Sequence, residues 1–406
     1  MERPSLDRVV IIGAGQAGVQ AAASLRGAGY AGEIALVGDE PFPPYQRPPL
    51  SKAYLAGDFA RERLFLKPDS FFREAPCDLR LATRAVAIDR AAKSVRLADG
   101  DDIAYSKLLL ATGARPRRIR VPGVDLPGVY YLRGIEDVDR LRPELAPGKR
   151  LAVVGGGYIG LEVAAVAVKQ GLEVTVVESE ARVMPRTASE SISRFFDEVH
   201  RAAGVHLHLH VSAEGFEGTT RVEALRAGRE RILADVVLVG IGVVPNDELA
   251  REAGLACNDG IVVDEYTATS DPNIFAAGDC TNHPARDGTR VRLESVQNAI
   301  EQAKCAAQSM AGDPKPYRDV PWFWSDQYDL KLQIAGLARP GDALVLRGEP
   351  ASRKFAVFHL RDGAVAAVEA VNAGPEYITG RKLIADRVRV DPARLADLGV
   401  PMKTML

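Results

Sequence analysis

The sequence predicts an α/β protein with two nucleotide-binding units of parallel-sheet type and a smaller α/β region after them. Three observations carry that reading. A buried-type apolar run, Val9 to Ile12, leads straight into Gly13-x-Gly15-x-x-Gly18. The same arrangement returns where Leu151 to Val154 leads into Gly155-x-Gly157-x-x-Gly160. From about residue 319 onward no such turn recurs, and short strand-like runs with final helices replace it. The 406 residues are enough for two or three domains with a large core.

In the first unit, RVVIIGAGQAGVQAAASLRGAG, a helix of small apolar residues runs to about Leu25 and ends at Gly27 or Gly29. A second strand, Glu33 to Val37, leads to Gly38-Asp39-Glu40. The glycines allow a tight turn and a close approach of the backbone, and the helix N-terminus is suited to a pyrophosphate. A lone G-x-G-x-x-G says little, but strand, glycine turn, helix, strand and acid in that order is a specific signal for a Rossmann-like dinucleotide site. Next comes PYQRPPLSKAYL, Pro44 to Leu55, too rich in proline to start as helix or inner strand. Leu108 to Ala111 reads as a strand ending at Thr112-Gly113.

In the second unit the strand Leu151–Val154 and the glycine turn lead to a helix from Ile159 to about Gln170, which Gly171 stops. Glu173 to Val177 is the next strand, with Glu178 at its end. A carboxylate there accepts hydrogen bonds from an adenosine ribose and repels a 2′-phosphate, which favours NADH over NADPH even with Arg182 and Arg186 close behind. In the first unit the matching place is Gly38, and the acid, Asp39, comes one residue later. Two cradles imply two dinucleotides, FAD in the first and NADH in the second. Ile274 to Ala277 is a short strand ending at Gly278-Asp279, and Leu293 to Met310 reads as a helix. The last region contributes strands at Lys331–Leu337, Ala343–Arg347, Phe355–Leu360 and Ala364–Val371.

Composition narrows the class. A net charge of -2 gives no general attraction to nucleic acid. No apolar run reaches the roughly 18–20 residues of a membrane span. MERPSLDRVVIIGAG enters a strand with no cleavable signal, so the expected location is cytoplasmic. Cys77, Cys257, Cys280 and Cys305 have neither C-x-x-C nor metal-ligand spacing and are expected as reduced thiols. HLHLH, His206 to His210, would place three imidazoles on one face of a strand, and a solvent-facing strand is expected there rather than a metal site.

Several motifs in order give the chain a family resemblance: GAGQAG, PPLSKAYL, LLLATGARP, GGGYIGLE, GIGVVPN, TSDPNIFAAGDC and PWFWSDQY. It resembles the two-dinucleotide flavoprotein reductases, and more narrowly the NADH-dependent ferredoxin reductases of cytochrome P450 and ring-dioxygenase systems. The resemblance runs nearly the full length. It implies a glutathione reductase-like pair of Rossmann-like domains plus a small C-terminal α/β domain. The flavin domain would be discontinuous, 1–112 and 246–318, with an NADH domain at 113–245 and an interface domain at 319–406. It implies FAD contacts at Gly13, Gly15, Ala17, Gly18, Asp39, Lys52, Val86, Thr112, Gly113, Arg133, Asp279 and Val296. For NADH it implies Gly155, Gly157, Tyr158, Ile159, Gly160, Glu178 and Gly242.

The chemistry implied is hydride transfer from NADH to FAD, followed by single-electron transfers to a [2Fe–2S] ferredoxin. Relatives that reduce disulfides carry a redox cysteine where this chain reads Pro48-Pro49-Leu50-Ser51-Lys52. The resemblance places Lys52 beside the flavin, pairs it with Glu162, and lets Tyr158 cover the flavin until nicotinamide displaces it. The alternative for Lys52 is a plain surface lysine, and for Glu162 a first-turn acid favoured by the helix dipole. Trp322 and Trp324 either seal a core or offer an indole edge to the partner. Arg290, Arg292, Lys304 and Arg339 are candidates for a basic rim that would speed encounter with an acidic ferredoxin. Rival readings are a rubredoxin reductase, an NADH oxidase, or a signalling flavoprotein like apoptosis-inducing factor. A monomer or weak homodimer is expected.

Overall fold

The computed structural model describes residues 7–74 and 77–406. The expectation about a leader at the extreme N-terminus falls on residues 1–6 and so lies outside the described part. The chain divides into two compact units. The first takes the described residues up to Gln46, then Arg61–Arg115 and Val244–Asp319; the second takes Arg47–Ala60, Pro116–Val243 and Val320–Leu406.

The first unit is built on a five-stranded parallel sheet ordered Ile274–Ala276, Lys107–Leu110, Arg8–Ile12, Glu33–Val37, Asp78–Arg80. Both faces are covered, which is why its inner strands run apolar after a charged first residue rather than alternating. Val9, Ile11, Leu36 and Leu109 pack under the helices Gln16–Gly27 and Val296–Met310. Val10, Ile12, Val37, Leu108 and Leu110 face a three-stranded antiparallel layer through Ile88, Val95, Leu97 and Ile103. Burial of Leu25 and Leu36 alone contributes roughly 1.5–3 kcal/mol each.

The second unit repeats that plan. Its parallel sheet is ordered His206–Leu209, Glu173–Glu178, Arg150–Val154, Val236–Val239, Val129–Tyr130. A three-stranded antiparallel layer again lies on one face, through Phe216, Leu225 and Ala227. The unit also contains a five-stranded antiparallel sheet ordered Trp322–Gln327, Leu330–Gly336, Ala364–Val371, Lys354–Arg361, Ala343–Glu349. The helix Gly374–Ala385 covers one face of it.

Several details differ from the sequence expectations. The proline-rich segment 47–60 groups with the second unit, because Arg47 Nη1 donates to Arg133 O at 2.8 Å, Tyr54 Oη to Asp139 Oδ1 at 2.8 Å, and Ser51 and Lys52 reach Glu162. Residues 320–406 group there as well: Ser189 N donates to Glu369 Oε1 at 2.8 Å, and the rings of Phe195 and Phe355 meet edge on at 5.0 Å. The histidine alternation ends early. The strand stops at Leu209, and His210 takes a left-handed φ of 59°, so it leaves the face shared by His206 and His208. His208 Nδ1 lies 3.0 Å from Glu230. Smaller differences are at element ends. The helix expected from Leu293 begins at Val296, where Ser295 Oγ accepts from Asn298 N. Cys77 directly precedes the short strand Asp78–Arg80. Among the described residues no helix is long and apolar enough to cross a membrane, and no group of three or more His, Cys, Asp or Glu is placed to hold a metal ion.

Candidate active site

Each unit turns its first strand into a helix through three glycines, and each glycine has a different reason to be there. Gly13 and Gly155 have φ of 112° and 106°, and a Cβ on either would lie 2.1 Å or 2.4 Å from a backbone oxygen, of Ala111 or Gly240. Gly18 and Gly160 lie against the turn itself, with a Cβ 1.9 Å or 2.2 Å from the oxygen of Gly13 or Gly155. Gly15 and Gly157 have nothing within 4 Å of the place a Cβ would take. The first and third glycines are thus required by the chain's own backbone, and the second leaves open space above the turn for a ligand.

That space faces a helix start. Gly15 and Gly157 are the N-caps of Gln16–Gly27 and Tyr158–Lys169, and no side chain caps either helix. Elsewhere the chain does supply caps, as Ser189 and Ser295 show. Uncapped amides and the helix dipole at an open glycine fit a pyrophosphate, so both cradles pass as dinucleotide sites. The acids differ. Glu178 is buried, with Oε2 accepting from Gly156 N at 2.7 Å and Oε1 from Glu180 N at 2.9 Å, so its carboxylate is fixed at the mouth of the second cradle. Oε1 also accepts from Ser179 Oγ at 3.2 Å, so Oε2 is the oxygen that keeps a lone pair for a ribose hydroxyl. Arg182 is occupied internally, donating to Ala188 O, Pro185 O and Ser193 Oγ. Arg186 lies beside Gly242, whose φ is 95°. In the first unit Asp39 is exposed and Glu40 accepts from Tyr45 Oη.

Two more turns of the first unit gather around its cradle. A Cβ at Gly13 would also lie 3.1 Å from Thr112 N, and the Thr112-Gly113 turn is held where the chain returns: Thr112 Oγ1 donates to Asn246 O at 2.6 Å, and Asn246 Nδ2 to Thr112 O at 2.8 Å. Gly278, with φ of 88°, lies against Ala17, and its N–H donates to the buried Gln302 Oε1 at 2.8 Å, which sets the turn that carries Asp279. Val296 opens the neighbouring helix, and Val86 is an exposed apolar residue at the start of its strand. The implied flavin residues Lys52 and Arg133 belong to the second unit.

In the second unit the residues converge on Glu162, which is 4% exposed. Lys52 Nζ lies 2.7 Å from Glu162 Oε2 and also donates to Pro48 O at 3.2 Å. Ser51 Oγ donates to Oε2 at 2.5 Å, and Ser325 Oγ to Oε1 at 2.6 Å. Lys52 is therefore no plain surface lysine; 19% of its side chain is exposed. The Tyr158 ring lies 4.6 Å from that of Phe323, its hydroxyl donates to Thr187 O at 3.3 Å, and burial raises its pKa. Ile159, next to it, is an exposed apolar residue at the helix start.

Ser51 and Ser325 were not singled out from the sequence. The available signal was alternation in the strand Trp322–Gln327, where Phe323, Ser325 and Gln327 share one face and Trp322 and Trp324 the other. The first face meets Tyr158 and Glu162. On the second, both indoles are half-buried with ring centroids 5.7 Å apart, and the Arg381 guanidinium lies 5.4 Å from the Trp322 ring.

The basic candidates are largely engaged within their own units. Arg290 donates to Asn282 Oδ1 and Val263 O, each at 2.8 Å. Arg292 is flanked by Glu294 and Asp259, and Lys304 pairs with Glu301 at 2.8 Å. The Arg339 amide donates to Asp342 Oδ2 at 2.8 Å. All four cysteines are unpaired thiols, and burial pushes each one up, Cys77 and Cys305 to about 11. A thiolate that exchanges with a disulfide needs the opposite shift.

The chain is similar to known proteins over nearly its full length. Residues 7–303 match the pyridine nucleotide-disulphide oxidoreductase model, and residues 322–406 match the reductase C-terminal model. A probable ferredoxin reductase of Castellaniella defragrans is 47% identical over 395 residues, covering 96% of this chain and 97% of that one. The rhodocoxin reductase of Rhodococcus erythropolis is 47% identical over 402 residues, 97% of this chain and 93% of its own. The solved covalent complex of putidaredoxin reductase with putidaredoxin superposes with a TM-score of 0.96 at 42% identity, over 98% of each chain.

Proposed function

Because the chain belongs to the pyridine nucleotide-disulphide oxidoreductase family, in its ferredoxin reductase branch, we propose that it is the reductase of a ferredoxin-dependent oxygenase system. When bound, FAD would supply the hydride-accepting and single-electron chemistry that links NADH to a [2Fe–2S] ferredoxin, and that chemistry belongs to the cofactors. The protein's part is to bind, orient and exclude water. The open second glycines and uncapped helix starts hold the pyrophosphates, FAD at the first cradle and NADH at the second. Thr112, Gly113 and Asp279 complete the first. Glu178 accepts the adenosine ribose and selects against a 2′-phosphate, while Arg182 is held by its own loop through Ala188 O and Pro185 O.

The observation that carries the reading is the Lys52–Glu162 ion pair, in the segment where disulfide-reducing relatives place a cysteine. An ammonium held by a buried carboxylate is a fixed positive charge, and it stabilises the negative charge that a hydride brings. Glu162 orients Lys52, and Tyr158 is the aromatic lid that nicotinamide displaces. The four unpaired thiols, each pushed up by burial, support single-electron transfer to a ferredoxin over a thiol shuttle. They also fit a reducing compartment, and we place the protein in the cytoplasm on that ground.

The test is anaerobic. The purified protein is mixed with NADH, the flavin absorbance is followed, and cytochrome c reduction is then measured with and without a [2Fe–2S] ferredoxin. Fast bleaching with ferredoxin-dependent cytochrome reduction is the expected result. Fast bleaching with electrons passing only to rubredoxin or oxygen would overturn the partner, and a slow bleach ending in a long-lived charge-transfer complex would overturn the enzyme. Lys52→Ala is expected to slow bleaching at least tenfold, roughly the worth of one charged contact.

A further inference from the structure

Glu162 is the end point of a longer hydrogen-bonded series that nothing in the hydride reading requires. Ser325, 0% exposed, receives Gln327 Nε2 at 3.2 Å. Gln327, 1% exposed, has its Oε1 2.8 Å from Nε2 of His200, which is fully buried in the helix Glu190–Ala202. His200 Nδ1 lies 3.0 Å from Tyr328 Oη. All of these residues belong to the second unit.

One carboxylate settles every proton in the series. Ion-paired Glu162 has no proton to give, so the 2.6 Å contact takes the hydroxyl proton of Ser325. The Ser325 oxygen is then an acceptor, and it faces the amide nitrogen of Gln327. That puts the Gln327 carbonyl toward His200, whose Nε2 must carry the imidazole proton. Nδ1 is then the acceptor, and Tyr328 donates to it. All donors point toward Glu162. Tyr328 holds its place in the two-residue turn between Gln327 and Leu330 with a φ of 58°, a left-handed conformation costly for a bulky side chain.

We propose that Tyr328, His200, Gln327 and Ser325 form a polarised anchor that fixes Glu162 as an acceptor for Lys52 and so holds the ammonium in place for the hydride step. The inference rests on the role given above to the Lys52–Glu162 pair. These four are positioning residues. The series is an anchor and not a proton wire, because the amide of Gln327 passes polarisation along but has no proton to relay without leaving its stable tautomer. Hydrogen bonds aligned in one direction strengthen one another, so loss of a distant member weakens the grip on Glu162.

The test has a readout that does not depend on turnover. The holoprotein is labelled with [15N]histidine, His200 is assigned by its absence in His200→Phe, and its tautomer is read from the two ring nitrogens. The expected result is the Nε2–H tautomer, with ring signals that move in Ser325→Ala. An Nδ1–H tautomer, or His200 signals indifferent to Ser325→Ala, would overturn the proposal. Gln327→Glu supplies the kinetic arm: it keeps the shape and the acceptor for His200 but takes away the donor to Ser325. Flavin bleaching by NADH is expected to slow roughly tenfold, with NADH affinity changed less than twofold. Tyr328→Phe, a milder change at the far end, should slow it less and guards against misfolding of the first variant. Wild-type bleaching in both variants overturns the anchor. If Lys52→Ala is also without effect, the hydride role of the pair fails with it; if Lys52→Ala is slow, only the anchor fails.

Discussion

The two cradles share a scaffold and differ in what fills it. In both, the first strand's following glycine donates to a valine at the end of the next strand's apolar run, Gly13 N to Val37 O and Gly155 N to Val177 O, each at 2.8 Å. The residue after that contact is Gly38 in one and Glu178 in the other. Opposite it, inside the turn, stands Ala14 in the first and Gly156 in the second. A Cβ on Gly38 would lie 2.5 Å from the Ala14 Cβ, and a Cβ on Gly156 would lie 3.3 Å from Glu178 Oε2. The small and the larger residue have changed places across the same gap. Backbone packing fixes the first and third turn glycines, and the exchanged pair sets whether a carboxylate stands at the mouth. A similar exchange occurs at the strand entrance, where Arg8 N donates to Ser106 Oγ at 3.1 Å and Arg150 N to Asp235 Oδ2 at 2.9 Å.

The largest effect should come from breaking what the cradles share. Gly13→Val and Gly155→Val each force a Cβ onto a backbone oxygen at positive φ, and each should cost more than about 4 kcal/mol, read as loss of folded protein in urea unfolding. A stable variant of either would end the claim of a common scaffold. Glu178→Ala acts on the difference. It should lower kcat/KM for NADH roughly ten- to hundredfold, the range of a charged hydrogen bond, and NADPH should suffer less. Gly15→Ala and Gly157→Ala sharpen the division of labour. Stability should stay within about 1 kcal/mol, because the added methyl meets open space. Flavin retention should fall only in the first variant, and the NADH KM should rise severalfold only in the second.

The smallest effect disappears in acid. The hydrogen bond from Arg150 holds the Asp235 carboxyl down to about 2, below its unfolded value near 4. A depressed folded pKa adds stability that is present above about pH 4 and lost as pH falls through 2. The pair is a third exposed, so solvent screening leaves about 1 kcal/mol at most. Asp235→Ser, which copies the first unit's entrance, should therefore lower the urea midpoint at pH 6 and leave it unchanged at pH 2.

Much of the scaffold was legible because each cradle is local: strand, turn, helix and strand within about thirty residues carry their own periodicity and glycine spacing. Glu33–Val37 and Ala364–Val371 were readable to the residue. The environment of Glu162 was not, because it is assembled from Ser51 and Ser325, which lie 111 and 163 residues away. Serine also carries no periodic signal of its own, and the two tryptophans beside Ser325 drew attention to the opposite face of that strand. The grouping of residues 47–60 was hidden for the same reason, since Arg47 and Tyr54 find their partners 86 and 85 residues further on.

The first unit's sheet has a consequence for how the chain is made. Its edge strand Ile274–Ala276 pairs with Lys107–Leu110, and 170 residues separate Leu110 from Cys280, whose thiol contacts it. At a synthesis rate of roughly 5–20 residues per second, that interval lasts on the order of ten to thirty seconds. Throughout it, the Lys107–Leu110 strand waits on the ribosome with one apolar edge unpaired, while every strand of the intervening parallel sheet emerges. The nascent chain thus passes through a period of exposed edge, the form most open to wrong pairing.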